Sequence, residues 1–113
     1  MRILLDHCVP RRLRTLLAGQ EVKTARQLGW DQLKNGELIA KAAAQFDVFL
    51  TIDKKLQFEL NLATLPIAIV ILDSPSNAFA ELVAFGPHLQ SLLSNPLARA
   101  LHVIRTDGRV DRL

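Results

Sequence analysis

Aspartates follow three of the apolar runs in this sequence, where their carboxylates could share one task. Asp6 follows the run at residues 1–5, Asp53 comes soon after a second run, and Asp73 ends the most hydrophobic run, residues 66–73. Like charges that meet in one crevice repel each other unless a cation neutralises them. Carboxylate oxygens suit Mg²⁺ or Mn²⁺, and such an ion can activate a water molecule for hydrolysis. The aspartates therefore predict a divalent metal site.

Further polar residues are candidates for the same site. Glu37 lies in the first turn of a helix that Asn35 could cap. The start of such a helix opens on the edge of the sheet where the preceding strand ends, so Glu37 is a candidate third ligand. Thr51 precedes Asp53 by two positions, and its hydroxyl could orient that carboxylate. We therefore place Thr51 and Asn35 in supporting roles.

Basic pairs follow two of these aspartates. Arg11 and Arg12 come after the first aspartate, and Lys54 and Lys55 come directly after the second. Lysine and arginine side chains that neutralise phosphates give an affinity for nucleic acid that depends on salt but not on base sequence. These four residues are therefore candidate nucleic-acid-binding residues.

Each candidate also has an ordinary structural explanation, which the sequence leaves open. An aspartate after a strand often caps a helix or forms a turn. Asp73 precedes the turn-like segment "SPS", and Glu37 could simply complement a helix dipole. The basic pairs could belong to solvated helix faces.

The elements that must position these residues alternate between strand and helix patterns. Continuous apolar runs predict strands covered on both faces, and apolar stripes at helical spacing predict helices between them. The predicted strands cover residues 1–5, 21–25, 47–51, 66–73 and about 100–106, and the predicted helices begin near Pro10, Asn35, Lys54 and Ser76 or Asn77. This order implies an α/β fold, a three-layer α/β/α sandwich with a mainly parallel sheet of about five strands. The carboxyl ends of those strands share one edge, which would bring the aspartates together.

Length and composition limit the classes of protein. The chain has 113 residues, of which 50% are hydrophobic, and a formal net charge of +3. These values predict one folded domain over residues 1–106, followed by a mobile tail over residues 107–113. The single cysteine, Cys8, excludes an internal disulfide, and the sequence has no signal-peptide pattern or long apolar run. We therefore expect a cytoplasmic protein with no membrane association.

Three segments carry the acidic residues, in the order "ILLDHCVPRRL", "VKTARQLGWDQLKNGELIAKAA" and "DVFLTIDKKLQF". Together these segments resemble a family of small bacterial PIN-like domains, which are grouped with toxin-like nucleases. The resemblance implies a PIN-like fold and an Mg²⁺ or Mn²⁺ site, formed by Asp6, Glu37 and Asp53, that hydrolyses single-stranded RNA. It also implies that the protein is a toxin whose partners are RNA and a cognate antitoxin protein. The sequence leaves open whether the protein forms a homodimer.

The sequence departs from that family in its acidic residues. Relatives often carry an acidic residue at the start of the central helix, where this chain has Asn35. Glu37, two positions later, would supply that negative charge instead. A fourth acidic residue is common in PIN nucleases, and Asp73 and Asp107 are its candidates. A catalytically inactive PIN-like module that binds RNA or a protein is therefore one alternative.

A receiver-like signalling domain is the other alternative. Receivers are also α/β sheets, and Asp53 would then be the phosphoacceptor. A receiver, however, has adjacent acidic residues after its first strand and a lysine after its fifth. Here His7 follows Asp6, and Arg105 follows the fifth strand. These departures favour the nuclease.

Overall fold

A six-stranded, mostly parallel sheet forms the centre of the computed structural model, which describes all 113 residues. The strands are β1 (Arg2–Leu5), β2 (Glu21–Thr24), β3 (Val48–Thr51), β4 (Ala68–Leu72), β5 (Leu101–Ile104) and β6 (Val110–Arg112). Their order across the sheet is β2-β1-β3-β4-β5-β6, and only the β5–β6 pair is antiparallel. The predicted α/β class and mainly parallel sheet are confirmed, with one strand more than expected.

Short helices connect the strands. The α-helices are α1 (Asn35–Gln45), α2 (Leu56–Glu59), α3 (Phe79–Leu82) and α4 (Gly86–Leu92). The 3-10 helices span Arg11–Leu16, Leu62–Thr64 and Val83–Phe85. None of the helices combines the length and apolar character needed to cross a membrane.

Hydrophobic side chains pack on both faces of the sheet, because side chains alternate in direction along each strand. Ile3 and Leu5 belong to a cluster that also contains Leu13, Phe85 and Leu89 from helical segments. On the opposite face, the cluster contains strand residue Leu4 together with residues of α1 and α2, among them Leu38, Ala42 and Leu56. Helices on both faces are compatible with the predicted sandwich. Burial on both faces also explains why β3 and β4 are nearly continuous apolar runs.

Helix starts differ in detail from the predictions. Pro10 precedes the 3-10 helix at Arg11–Leu16 as an extended residue and does not begin an α-helix. Lys34, not Asn35, occupies the cap position of α1, and no side chain caps that helix. The helix predicted to begin near Ser76 or Asn77 begins only at Phe79, as α3, and α4 follows from Gly86.

The predicted mobile tail is wrong for residues 110–112, which form β6. Val110 pairs with Ile104 and Arg112 pairs with His102, so β5 and β6 form a hairpin. The turn contains Gly108 at a φ of 91°, a left-handed conformation that glycine adopts without a steric penalty. An Asp-Gly pair between two strand-like segments is a common hairpin signal, and "TDGRVDR" contains it.

The strand order places a crevice at the carboxyl ends of β1 and β3. The chain leaves β1 to form β2 on one side and later forms β3 on the other side. Open parallel sheets commonly bind ligands at such a reversal of strand order. Asp6 follows β1 and Asp53 lies two residues after β3, so both lie at this edge.

Candidate active site

Asp6 is a buried carboxylate that is fully hydrogen-bonded. Only 2% of the residue is exposed, and its backbone N–H donates to the Leu50 carbonyl at 2.9 Å. Its Oδ1 accepts the backbone N–H of His7 at 2.8 Å and lies 2.9 Å from His7 Nδ1. Its Oδ2 accepts the Thr51 hydroxyl at 2.8 Å, and the Cys8 thiol donates to it at 3.5 Å. A buried charge requires such partners, and they hold this carboxylate in one orientation.

Asp53 is half-buried and is held in a turn at the start of α2. Its backbone N–H donates to the Thr51 hydroxyl oxygen at 3.0 Å. Its side-chain Oδ1 accepts the backbone N–H of Lys55 at 3.0 Å. Thr51 therefore contacts both aspartates, but it orients the carboxylate of Asp6 and the backbone of Asp53. The sequence predicted instead that it would orient the Asp53 carboxylate.

Glu37 is exposed in the first turn of α1, and its side chain makes no hydrogen bond or ion pair. The side chain of Asn35 donates to Glu59 Oε2 at 3.0 Å and touches neither aspartate. No group of three or more His, Cys, Asp and Glu side chains is arranged to hold a metal ion. The structure therefore brings together Asp6, Thr51 and Asp53, but not Glu37 or Asn35.

Asp73 follows β4 and is neutralised by basic side chains. Lys54 Nζ lies 3.0 Å from its Oδ1, and Arg105 Nη1 lies 3.1 Å from its Oδ2. The Lys54 hydrogen bond, followed by that of Arg105, holds the pKa of Asp73 below its ordinary value. Because the Lys54 and Arg105 side chains already pair with both carboxylate oxygens, a structural role for Asp73 is favoured. Asp107, the other candidate fourth acidic residue, accepts the Arg109 N–H within the β5–β6 turn.

The predicted RNA-binding residues have different surroundings. Arg12 lies over the Phe79 ring, 4.4 Å from its centroid, and Lys54 is paired with Asp73. Lys55 is exposed, and no acidic side chain pairs with it. Arg11 lines a cavity of about 390 Å³ that opens beside Asp6. Of the four predicted residues, Arg11 and Lys55 therefore have no protein partner for their charge and are the better candidates to contact a polyanion.

The cavity also contains residues that sequence reasoning missed. Thr24, Arg26 and Gln27 line it, and they belong to the end of β2 and the loop that follows. The available signal was the position of Arg26 just after a predicted strand, because the carboxyl ends of parallel strands share one edge.

The donor chemistry of the aspartate pair fits the predicted ions. Mg²⁺ prefers hard oxygen ligands and is usually held by one or two carboxylates, with waters and substrate phosphates completing its coordination. Asp6 and Asp53 supply two such carboxylates at the ends of neighbouring strands, and the Thr51 hydroxyl contacts the Asp6 carboxylate and the Asp53 backbone N–H. Glu37 lies outside this pair.

The chain matches no family model, no curated protein and no solved structure. The inference of its function therefore rests on the geometry of the aspartates and on the sequence segments that carry the acidic residues.

Proposed function

We propose that this protein is a metal-dependent ribonuclease of PIN-like type that hydrolyses phosphodiester bonds of single-stranded RNA. One observation carries the proposal. Asp6 and Asp53 lie at the carboxyl ends of β1 and β3, where the strand order reverses, and the Thr51 hydroxyl is hydrogen-bonded to the Asp6 carboxylate and to the Asp53 backbone N–H. Ligands of open parallel sheets bind at such a position.

The residues of the site have separate roles. Thr51 and His7 hold the Asp6 carboxylate in place from opposite oxygens. Asp6 and Asp53 would hold Mg²⁺ or Mn²⁺, and Glu37 is not part of this donor pair. A bound ion of this kind supplies Lewis-acid chemistry, because it polarises a phosphate and lowers the pKa of a bound water. Arg11 and Lys55 would attract the phosphates of the strand.

Substitution of the aspartates tests the proposal. We expect Asp6→Asn and Asp53→Asn each to reduce metal-dependent cleavage of a labelled single-stranded RNA by about 100-fold or more. Loss of a mere supporting partner of a metal ligand already costs about 10–100-fold. Initial cleavage rates of purified variants with Mg²⁺ or Mn²⁺ measure the effect.

Asp47→Asn is the matched control, because Asp47 lies at the opposite, amino end of β3. Its carboxylate accepts the Arg2 backbone N–H at 2.8 Å, and an asparagine oxygen can accept the same bond. This variant should cleave like the wild type. Undiminished cleavage by Asp6→Asn, or by the wild type in excess EDTA, would refute the proposal.

The sheet order also supports a second candidate, the receiver-like domain. The order β2-β1-β3-β4-β5 occurs in signalling receivers, and Asp53 follows β3 as a phosphoacceptor would. Arg105, however, is held by Asp73 and Asp111 and is not free to bind a phosphorylated side chain. Incubation with acetyl phosphate and mass measurement distinguishes the candidates: a phosphorylated Asp53 would favour the receiver.

The biological role rests on the sequence resemblance alone. We propose a toxin that a cognate antitoxin neutralises. An inactive PIN-like module that only binds RNA or a protein is the remaining alternative, and the RNA cleavage assay with Mg²⁺ or Mn²⁺ separates it from the enzyme.

A further inference from the structure

The cavity beside Asp6 lies on the β2 side of β1. Its volume of about 390 Å³ falls in the range of small-ligand sites, about 300–1,000 Å³. Asp6 and His7 line one part of it, and Arg11 lines it from the 3-10 helix that follows. Arg26 and Gln27 line it from the loop after β2. The cavity therefore shares Asp6 and His7 with the proposed active site.

The charge of this cavity favours an anion. Arg11 and Arg26 are both exposed, and neither forms an ion pair with an acidic side chain. Asp6 is the only acidic residue in the lining, and its oxygens already accept hydrogen bonds from neighbouring protein groups. Two guanidinium groups at one small cavity repel each other unless an anion lies between them.

The loop that carries Arg26 is held in position by its neighbours. The Thr24 N–H donates to Gln27 Oε1 at 2.9 Å, and the Gln27 N–H donates to the Thr24 hydroxyl oxygen at 3.1 Å. The Ala25 N–H donates to the Leu5 carbonyl at 3.0 Å and extends the β1–β2 ladder. Because Gln27 Oε1 is engaged in this way, its Nε2 is the atom left to donate to a ligand. The loop needs little rearrangement to bind.

We propose that this cavity binds a phosphate group of the substrate strand, with Arg11 and Arg26 as its charged donors and Gln27 as its neutral donor. Planar guanidinium groups match phosphate oxygens with paired hydrogen bonds. The assignment to a substrate strand rests on the proposed function. Arg26 is then a substrate-binding residue that holds a phosphate next to the one at Asp6 and Asp53.

Binding of a fluorescent eight-nucleotide single-stranded RNA tests the assignment, measured by anisotropy in EDTA so that no cleavage occurs. We expect Arg26→Gln to weaken binding about tenfold, as loss of one charge-assisted hydrogen-bond partner implies. The slope of log affinity against log salt should also become less steep by about 0.7, the value for one phosphate contact on a single strand.

Arg14→Gln is the matched control, because Arg14 is exposed, forms no ion pair and does not line the cavity. It should bind RNA within about twofold of the wild type, as expected for a surface charge outside the site. Equal binding by Arg26→Gln and the wild type, with unchanged salt slopes, would overturn the assignment.

Competition with inorganic phosphate tests whether the cavity binds a phosphate group of the RNA strand or free phosphate. If it competes with the RNA for wild-type protein but much less for Arg26→Gln, the cavity holds a phosphate of the strand. Phosphate binding without competition would overturn that assignment in favour of a free phosphate site. Because binding is measured without metal, a wild type that binds but never cleaves would refute the nuclease and leave the phosphate site standing.

Discussion

Thr51 joins the two aspartates of the candidate site. The residue is fully buried at the end of β3, where its β-branched side chain suits a strand. Its hydroxyl donates to Asp6 Oδ2 and accepts the Asp53 N–H, so both hydrogen-bonding functions are used. One small side chain thus holds the carboxylate that follows β1 and the turn that follows β3.

Replacement of this hydroxyl should affect both stability and cleavage. Thr51→Val keeps the shape but leaves Asp6 without one donor, so we expect the free energy of unfolding to fall by about 1.5–3 kcal/mol. Under the proposed function, cleavage should fall about 10–100-fold, the loss that removal of a supporting partner of a metal ligand causes. Urea unfolding and RNA cleavage measure the two effects. Thr51→Ser restores the hydroxyl and should recover most of both, and equal behaviour of Val and Ser would contradict this role.

Cys8 lies in the same cluster but is not suited to be a nucleophile. Its Sγ is 3.5 Å from Asp6 Oδ2 and 3.6 Å from the Thr51 hydroxyl oxygen. Burial, with a contribution from the Asp6 charge, raises the pKa of the Cys8 thiol. The thiolate is the reactive form of cysteine, so this thiol acts as a hydrogen-bond donor to Asp6 at neutral pH.

At the level of secondary-structure elements, the β5–β6 hairpin forms one edge of the sheet. β6 pairs with β5 in antiparallel register, and Arg105 after β5 donates to Asp111 on β6 at 2.8 Å. The hairpin depends on its turn, where the Gly108 N–H donates to the Arg105 carbonyl at 3.0 Å. A residue other than glycine would have to adopt the left-handed conformation there.

Gly108→Ala should therefore destabilise the hairpin. The positive φ costs about 1–3 kcal/mol for a residue with a Cβ. The new Cβ would also lie 2.5 Å from Cε1 of His88. Gly36→Ala is the control, because a Cβ added to this α1 residue would meet no atom within 4 Å, and alanine there should add up to about 1 kcal/mol. Urea unfolding should show opposite signs for the two variants, and a neutral Gly108→Ala would contradict the expectation.

At the scale of the whole molecule, a charge network connects the carboxyl ends of several strands. Asp73 after β4 pairs with Lys54, which follows β3, and with Arg105, which follows β5. Arg105 also pairs with Asp111 of β6. These contacts link four neighbouring strands at the edge where the candidate site lies.

The network makes stability depend on pH through Asp73. The folded pKa of Asp73 is lowered from 3.8, first by Lys54 and then by Arg105, so the ion pairs add stability above about pH 3.8. That contribution is lost as the pH falls through the lowered folded value. Asp73→Asn should therefore be less stable than the wild type at pH 7, and the difference should shrink in acid. Urea unfolding midpoints between pH 7 and pH 3 measure this, and a difference that is constant over that range would contradict it.

Much of the architecture could be predicted from local patterns. The apolar runs before Asp6, Asp53 and Asp73 marked β1, β3 and β4, because strands buried on both faces consist mainly of apolar residues. Alternation with helical stripes predicted the parallel sheet. The tail was mispredicted because a short polar strand gains its stability from the neighbouring β5, which its own sequence does not display.

The sequence alone was enough to predict the five parallel strands and the positions of Asp6 and Asp53 after two of them. Burial and alternation are properties of consecutive residues, so they can be read locally. The folded structure was needed to show that Thr51 contacts both aspartates, that Glu37 lies apart from them, and that Arg26 lines the same cavity as Asp6. Those outcomes depend on which strands pair with each other and on where the loops after them lie. Both are determined by contacts between residues that are far apart in the sequence.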